Sequence, residues 1–239
     1  MKKKTNWREE NLHEMLQCDT SQKVFGVLQN ETRRLGLEYV SWGIQLPIPI
    51  LEQRIVFFTN YSRAWQDRYL EQNYIAIDPT IKHGQNSVLP TLWSNKSLQA
   101  APEFWEDARG YGLYEGVAQS VWDRFGCGSM LSLSRSSLEF TETELVEKMP
   151  KISWLAQLAH TGMCQLILPH EVPETAADLS KREKEILKLA AAGLTSQDIA
   201  DRLKLTKRTA DFHLENARGK LGAENRTDAV VRAVVLGLV

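Results

Sequence analysis

The tightest constraint on this chain is the punctuation of residues 179–239, where helix starts and stops follow one another so closely that only short helices and tight turns fit. Ser180 and Glu183 have the S-x-x-E spacing of a capping box, in which each side chain satisfies the other residue's backbone N–H. Ile186, Leu187, Leu189 and Ala190 then recur at helical intervals until Gly193. Thr195 with Asp198 caps a second short helix carrying Ile199, Ala200 and Leu203. Leu205-Thr206 opens a third, with Ala210, Leu214, Ala217 and Leu221 at steps of four, three and four. Gly222 stops it, and a last helix is expected from about Thr227 to Leu238.

The second and third of these helices, separated by Leu203-Lys204-Leu205, have helix-turn-helix proportions. If the apolar set of the third packs inward, Lys207, Arg208, Asp211, Phe212, Glu215 and Arg218 are left outward or near its edges. Lys207 and Arg208 then fall in the first turn, where a recognition helix reaches bases and phosphates. Thr206 can hold some of the exposed first-turn N–H groups and leave others to meet a phosphate oxygen. A small helical bundle with a solvated charged face has the same pattern. Charge separates the two readings only weakly. Net charge is −1, but residues 1–177 carry 17 basic against 21 acidic side chains, while residues 178–239 carry 12 against 9. Asp211 and Glu215 repel phosphate, so DNA binding by a module of +3 calls for a homodimer, which doubles the phosphates neutralised.

The remainder reads as a separate domain. The segment Leu168–Leu179 (LPHEVPETAADL) is polar, and Pro169 and Pro173 are not expected inside a helix. The expected organisation is a ligand domain over 1–168, a linker over 169–178 and a DNA-binding domain over 179–239. In the first domain Val24–Leu35, Ser62–Gln72 and Phe104–Gly110 read as helices, and Glu142–Ile167 as a long helix with a break expected at Pro150. Glu38–Gln45, Arg54–Phe58, Val117–Trp122 and Gly128–Arg135 read as strands. Asp78-Pro79 should force an extended step. Strands grouped between helices predict an α+β fold, an α-β-α sandwich whose antiparallel sheet encloses a pocket, followed by an all-α helix-turn-helix domain.

Several function classes fall away. Met1-Lys2-Lys3-Lys4 could open a signal peptide, but Asn6–Glu14 is polar where an apolar core would stand, and no stretch reaches the ~18–20 apolar residues of a membrane span. Cys18, Cys127 and Cys164 fit neither a disulfide framework nor a metal site, which suits a reducing cytoplasm. His13, His83, His160, His170 and His213 lack metal-binding spacing, and Cys127 has no evident base, so neither catalytic residues, metal nor cofactor is expected. A phosphotransfer receiver domain would need an acidic pair, an aspartate and a lysine on alternating βα units, an order missing from residues 1–160. A hydrolytic enzyme would need a metal cluster or an activated nucleophile, and the sequence supplies neither.

The useful constellation before residue 100 is Tyr61, Trp65, Tyr69 and Asp78. Aromatics at intervals of four stack along one helical face, and Asp78 stands in apolar company beside Ile75, Ile77, Pro79 and Ile81. Donors on Trp65 and Tyr61 around an acceptor on Asp78 would complement an amide N–H flanked by carbonyls. Plain core packing and an Asp-Pro turn account for the same residues.

Both halves resemble one family. The run Leu179-Ser180-Lys181-Arg182-Glu183, with Leu187, Gly193, Ile199-Ala200, Thr209, Phe212-His213, Asn216 and Lys220-Leu221, is similar to the LuxR-type helix-turn-helix. Ala210 stands where valine is usual, and Gly219 weakens the third helix by about 1 kcal/mol relative to alanine. Asn60-Tyr61, Trp65, Tyr69, Asp78-Pro79, Trp93, Phe104-Trp105, Ala108, Gly112-Leu113 and Gly116 resemble the acyl-homoserine-lactone-binding domain of LuxR-type quorum-sensing regulators. The resemblance implies that Asp78 accepts the ligand amide N–H, that Trp65 donates to the lactone carbonyl, and that Tyr61 and Ser132 reach the acyl carbonyl. Tyr69, Ile81, Trp93, Phe104 and Leu113 would line the cavity, with Ala118 where members vary. Side-chain volumes at Met130, Ala118, Gly43 and Ser41 would set the acyl length and third-carbon oxidation accepted. Relatives lacking the Trp65 or Tyr69 type answer other signals; this chain keeps both. The DNA-contacting set implied is Thr195, Thr206, Lys207, Arg208, Asp211, Phe212, Glu215, Lys220, Asn225 and Arg226. Implied partners are a small-molecule autoinducer, double-stranded DNA, a second copy of the chain and RNA polymerase, with no membrane.

Overall fold

A computed structural model describes residues 7–49, 54–94 and 100–239; the basic run Met1–Lys4 lies outside them. The chain forms two compact units, one of residues 1–45, 55–122 and 128–167, the other of residues 46–54, 123–127 and 168–239.

The first unit is built on an antiparallel sheet of β1 (Tyr39–Gln45), β2 (Ile55–Thr59), β3 (Thr91–Leu92), β4 (Glu115–Trp122) and β5 (Gly128–Arg135), in the order β2-β1-β5-β4-β3. Strand side chains alternate between faces, so the register sorts them. Val40, Trp42, Ile44, Leu131 and Leu133 share one face and are almost wholly buried. That face packs against α2 (Ser21–Arg34), through Phe25 on Phe58, and against α6 (Glu142–Glu171), through His160 on Ser129. An additional helix, α1 (Trp7–Leu16), lies where the sequence suggested only a polar segment, with Trp7 Nε1 donating to Glu31 at 2.7 Å.

The opposite face carries many small side chains, with Tyr39 and Met130 among its larger ones. Thr91, Ala118, Ser132, Ser41 and Thr59 form one row across the sheet; Gly116, Ser134 and Tyr39 form the next. Over this face lie α3 (Arg63–Glu71), α4 (Pro79–Asn86) and α5 (Pro102–Gly110), which completes the expected α-β-α sandwich.

Two expectations about proline are corrected. The last helix of the sandwich runs unbroken through Pro150 and includes Pro169 in its final turn. Each proline removes one bond to the carbonyl four residues earlier. Those carbonyls belong to Val146 and Gln165, both exposed residues, so water can replace the lost donor. Pro173 begins a 3-10 turn (Pro173–Ala176), where a missing N–H costs nothing.

In the second unit α7 (Lys181–Ala191), α8 (Ser196–Leu203), α9 (Lys207–Lys220) and α10 (Arg226–Val235) pack as the punctuation requires. Both capping boxes form, and Gly193 and Gly222 adopt positive φ. Ala210, Leu214, Ala217 and Leu221 point into a core shared with Ile186, Leu187, Ile199 and Ala200.

Candidate ligand pocket and nucleic-acid interface

Ser62, not Tyr61, starts α3: its hydroxyl accepts the Trp65 backbone N–H. Tyr61 therefore precedes the helix and does not extend the ladder; it turns its ring edge-on to Tyr39 of the sheet, centroids 6.1 Å apart. The helix itself presents Trp65 and Tyr69, 5.8 Å apart and T-shaped, and both meet Phe104 of α5. These rings join Tyr74, Trp93, Trp105, Ala108, Leu113 and Ala118 in one cluster, with Tyr39 and Met130 at its edge. Asp107 braces the two helices by accepting from the Tyr74 hydroxyl at 2.5 Å and from Arg68 at 2.7 Å, and these bonds, Tyr74's first, hold its carboxyl below the usual range. The position of Tyr74 is not legible in the sequence, because a left-handed Asn73 and a short 3-10 turn (Tyr74–Ala76) carry no periodic signal.

Asp78 combines the two roles considered for it. It does take an extended ψ before Pro79, but as the N-cap of α4. Its Oδ1 accepts the Thr80 backbone N–H at 2.8 Å and the Thr80 hydroxyl at 2.7 Å, while Oδ2 accepts the Tyr69 hydroxyl at 2.9 Å. The cap thus consumes one oxygen and turns the other toward the aromatic cluster. Burial raises the Asp78 pKa, against the opposing pull of Thr80 and Tyr69.

Burial drives the phenol pKa values of Tyr61 and Tyr69 far upward, yet both keep accessible surface. Ser41, Gly43, Met130 and Ser132 on the facing strands are likewise half-buried, while the opposite face of the same strands is sealed. Tyr61, Tyr69 and Met130 keep that surface while packing against the aromatic cluster, in which Trp93, Phe104, Leu113 and Ala118 are buried. Ile81 is half-buried on α4 and is not part of the cluster. Cys127 is buried and its thiol is pushed up to about 12, which leaves little thiolate for chemistry.

In the second unit Lys204 turns the chain at φ 53° between α8 and α9, and the Thr206 hydroxyl caps α9 through the Thr209 N–H at 3.1 Å. Lys207, Arg208, Asp211, Phe212 and Glu215 are exposed on one side of that helix; Phe212 is 61% exposed, unusual for a large ring without a partner surface. Arg218 grips Glu215 through Nε at 2.9 and 3.0 Å, so the acidity expected to repel phosphate is partly cancelled. The other anticipated contacts have internal work. Lys220 bonds Glu183 and the Asp178 carbonyl, both at 2.8 Å. Arg226 donates to Ser196 and the Leu194 carbonyl, and Thr195 and Asn225 are helix caps.

Comparison with known proteins agrees with this division of labour. Residues 20–163 match the autoinducer binding domain family, and residues 177–233 match the bacterial regulatory proteins of the luxR family. The transcriptional activator protein AnoR of Acinetobacter nosocomialis is 38% identical over 236 residues, covering 98% of this chain and 99% of its own. The crystal structure of Escherichia coli SdiA superposes with a TM-score of 0.83 at 31% identity, covering 97% of both chains. A structure of SdiA in complex with octanoyl-rac-glycerol gives 0.83 at 29% identity, covering 97% of this chain and 95% of that one. Among the described residues no helix is long and apolar enough to cross a membrane. With transcriptional regulators rather than enzymes as its relatives, and with an autoinducer-binding unit joined to a helix-turn-helix, the chain belongs to the LuxR family of quorum-sensing transcriptional regulators.

Proposed function

We propose that the autoinducer is an N-acyl-homoserine lactone held in the recess between the aromatic cluster and the small-residue face of the sheet. The observation that carries this reading is Asp78: a buried carboxylate whose Oδ2 faces the cluster beside Trp65 is an acceptor suited to an amide N–H. Trp65 would donate to the lactone carbonyl, Tyr61 and Ser132 to the acyl carbonyl. The rings of Tyr69, Trp93 and Phe104, with Ile81, Leu113 and Ala118, would enclose the rest. No cofactor takes part. The chain acts in the cytoplasm as a homodimer on a two-fold symmetric site in double-stranded DNA, with half-sites about one helical turn apart, and through RNA polymerase. Residues 1–168 bind the ligand, 169–178 link, and 179–239 bind DNA. Thr206, Lys207, Arg208, Asp211, Phe212 and Glu215 face the groove; Thr195, Lys220, Asn225 and Arg226 shape the helices that present them.

The acylglycerol in the related SdiA structure supplies a competing ligand class, since it offers an acyl chain and hydroxyl donors but no amide. Purifying the protein from cells given a lactone mixture and identifying the retained molecule by mass spectrometry distinguishes the two. Recovery of a lactone in near-stoichiometric amount is expected; retention of an acylglycerol in preference to every lactone refutes the proposal.

A further inference from the structure

The exposed side of α9 carries two carboxylates one turn apart, and the fold treats them differently. Glu215 is answered: Arg218 Nε donates to both of its oxygens, at 3.0 and 2.9 Å. Asp211 is not. It is exposed, and among the described residues its side chain makes no hydrogen bond or ion pair. Lys207 precedes it by four residues, the order in which such a pair holds less well. Packing gives no reason for a carboxylate there, since Ala210, Leu214 and Ala217 supply the buried face of the helix. Nor does the helix dipole, whose preference for acidic groups fades beyond the first turn, and Asp211 is the fifth residue of α9.

An unpaired carboxylate on a helix that approaches DNA loses phosphate attraction without return unless it meets a donor. The major groove offers two kinds, the N4 amino group of cytosine and the N6 amino group of adenine. The adenine group lies between two acceptors, its own N7 and O4 of the paired thymine, and suits an amide that both accepts and donates. The cytosine group has an acceptor on one side only, O6 of the paired guanine. A group that can only accept therefore meets least repulsion at cytosine. We infer that Asp211 sets the sequence choice of α9. Its carboxylate accepts from the N4 amino group of a cytosine in each half-site, and its charge weakens binding wherever that cytosine is missing. Glu215, with both oxygens on Arg218, takes no part in the choice. This rests on the DNA reading above and names the base which that reading left open.

The test is base preference. Duplexes bound by the full-length protein are selected from a randomised library, and affinities are measured for the selected site with each base in turn at each half-site position. The wild type should require cytosine at one position, where any other base weakens binding about 5- to 150-fold. Asp211→Asn, which can accept from N6 and donate to N7, should move the preference at that position alone to adenine. Asp211→Ala should leave the position without preference and tighten binding to unrelated duplexes. Glu215→Gln should keep the cytosine. Substitution of an exposed, unpartnered side chain should leave the melting temperature within a degree or so of wild type, so loss of fold does not confound the comparison. A cytosine preference that survives in Asp211→Ala or Asp211→Asn, a selected site without such a cytosine, or loss of the preference in Glu215→Gln overturns the assignment and leaves the DNA reading standing. If the wild type selects no duplex at all, the DNA reading itself fails and the assignment falls with it.

Discussion

Replacing Asp78 by asparagine separates its two roles, because the geometry fixes how the new amide must lie. The N-cap of α4 needs an acceptor for the Thr80 N–H, now supplied by Oδ1 at 2.8 Å. Asparagine caps helices as well as aspartate, so its carbonyl oxygen takes that place and its NH2 occupies the position of Oδ2. The Tyr69 hydroxyl, which donates to Oδ2 at 2.9 Å, can rotate to accept instead. The fold keeps its hydrogen bonds and loses a buried charge, so the unliganded Asp78→Asn protein should melt no lower than wild type. A ligand amide N–H, by contrast, would meet another N–H. A hydrogen bond to a charged group contributes about 1.5–3 kcal/mol, which corresponds to a loss of affinity of about 10- to 150-fold. Trp65→Phe keeps the ring wall and removes one neutral donor, for about 0.5–1.5 kcal/mol. The double variant should lose less than the product of the two, since both groups fix the same head group. Isothermal titration with a lactone, paired with melting curves of the unliganded proteins, reads both quantities. Unchanged affinity in a folded Asp78→Asn protein would reduce Asp78 to a helix cap and end the proposed head-group recognition.

Acidification should act on the same carboxylate. Burial raises the Asp78 pKa above its unfolded value of about 3.9. Its contribution to the unliganded fold is therefore fully present below that unfolded value and lost as pH rises through the raised one. Ligand acceptance needs the ionised form, so lactone affinity should fall as pH drops through the raised pKa, and Asp78→Asn should flatten the profile; affinity rising on acidification contradicts this. On α9, Lys207→Ala and Arg208→Ala should weaken DNA binding, and whichever contacts only phosphate should also lower the salt slope by about one. Glu215→Gln should tighten non-specific binding and Arg218→Ala should weaken it, because Arg218 masks the Glu215 charge; equal effects of the two in a gel-shift titration would refute the masking. Lys220→Met leaves the buried Glu183 without its ammonium partner and should destabilise the helix-turn-helix unit by about 1–2 kcal/mol, at the low end for a charged bond because Lys220 is half exposed. A chemical-denaturation midpoint that does not move would show the pair to be idle. Saturating lactone should raise the melting temperature, by about 2.7 kcal/mol of added stability at a hundredfold excess over Kd; melting indifferent to every lactone points to another signal.

Much of this was legible in the sequence where one local rule governs the structure. Ser180, Thr195 and Thr206 cap helices because nothing in the surroundings competes with a hydroxyl one residue before an amphipathic run. The pattern Met130 to Ser134 gives the two faces of β5 directly. Legibility failed where a second influence outweighed the local one. Proline at 150 and 169 is a breaker by the local rule, but the carbonyl each one orphans lies on the wet side of α6. The interval of four from Tyr61 to Trp65 suggested a single ladder, yet Ser62 is the better cap and cuts Tyr61 off from the helix. Arg218, Lys220 and Arg226 look alike as basic residues in a basic module. Only the fold tells that their charges are engaged by Glu215, Glu183 and the Leu194 carbonyl.

The division of Asp78 between two oxygens explains how the proposed ligand acceptor can be held ready before a ligand arrives. A carboxylate waiting for a ligand amide would ordinarily be an unpaired buried charge, a costly state for a small domain. Here Oδ1 is held by the first turn of α4, where backbone N–H groups and the helix dipole favour negative charge. Oδ2 is steadied by the Tyr69 hydroxyl, a donor that can rotate away without leaving the cavity wall. The same helix that needs a cap thus keeps the acceptor in position. The aromatic cluster that needs a hydroxyl partner keeps it desolvated, which strengthens any charge-assisted bond made there. Opposite stands a sheet face largely of glycine, alanine, serine and threonine, with Tyr39 and Met130 as larger members. Larger residues on that face would pack more tightly against the cluster and stabilise the unliganded protein, so keeping most of it small gives up part of that stability in favour of the ligand site proposed above.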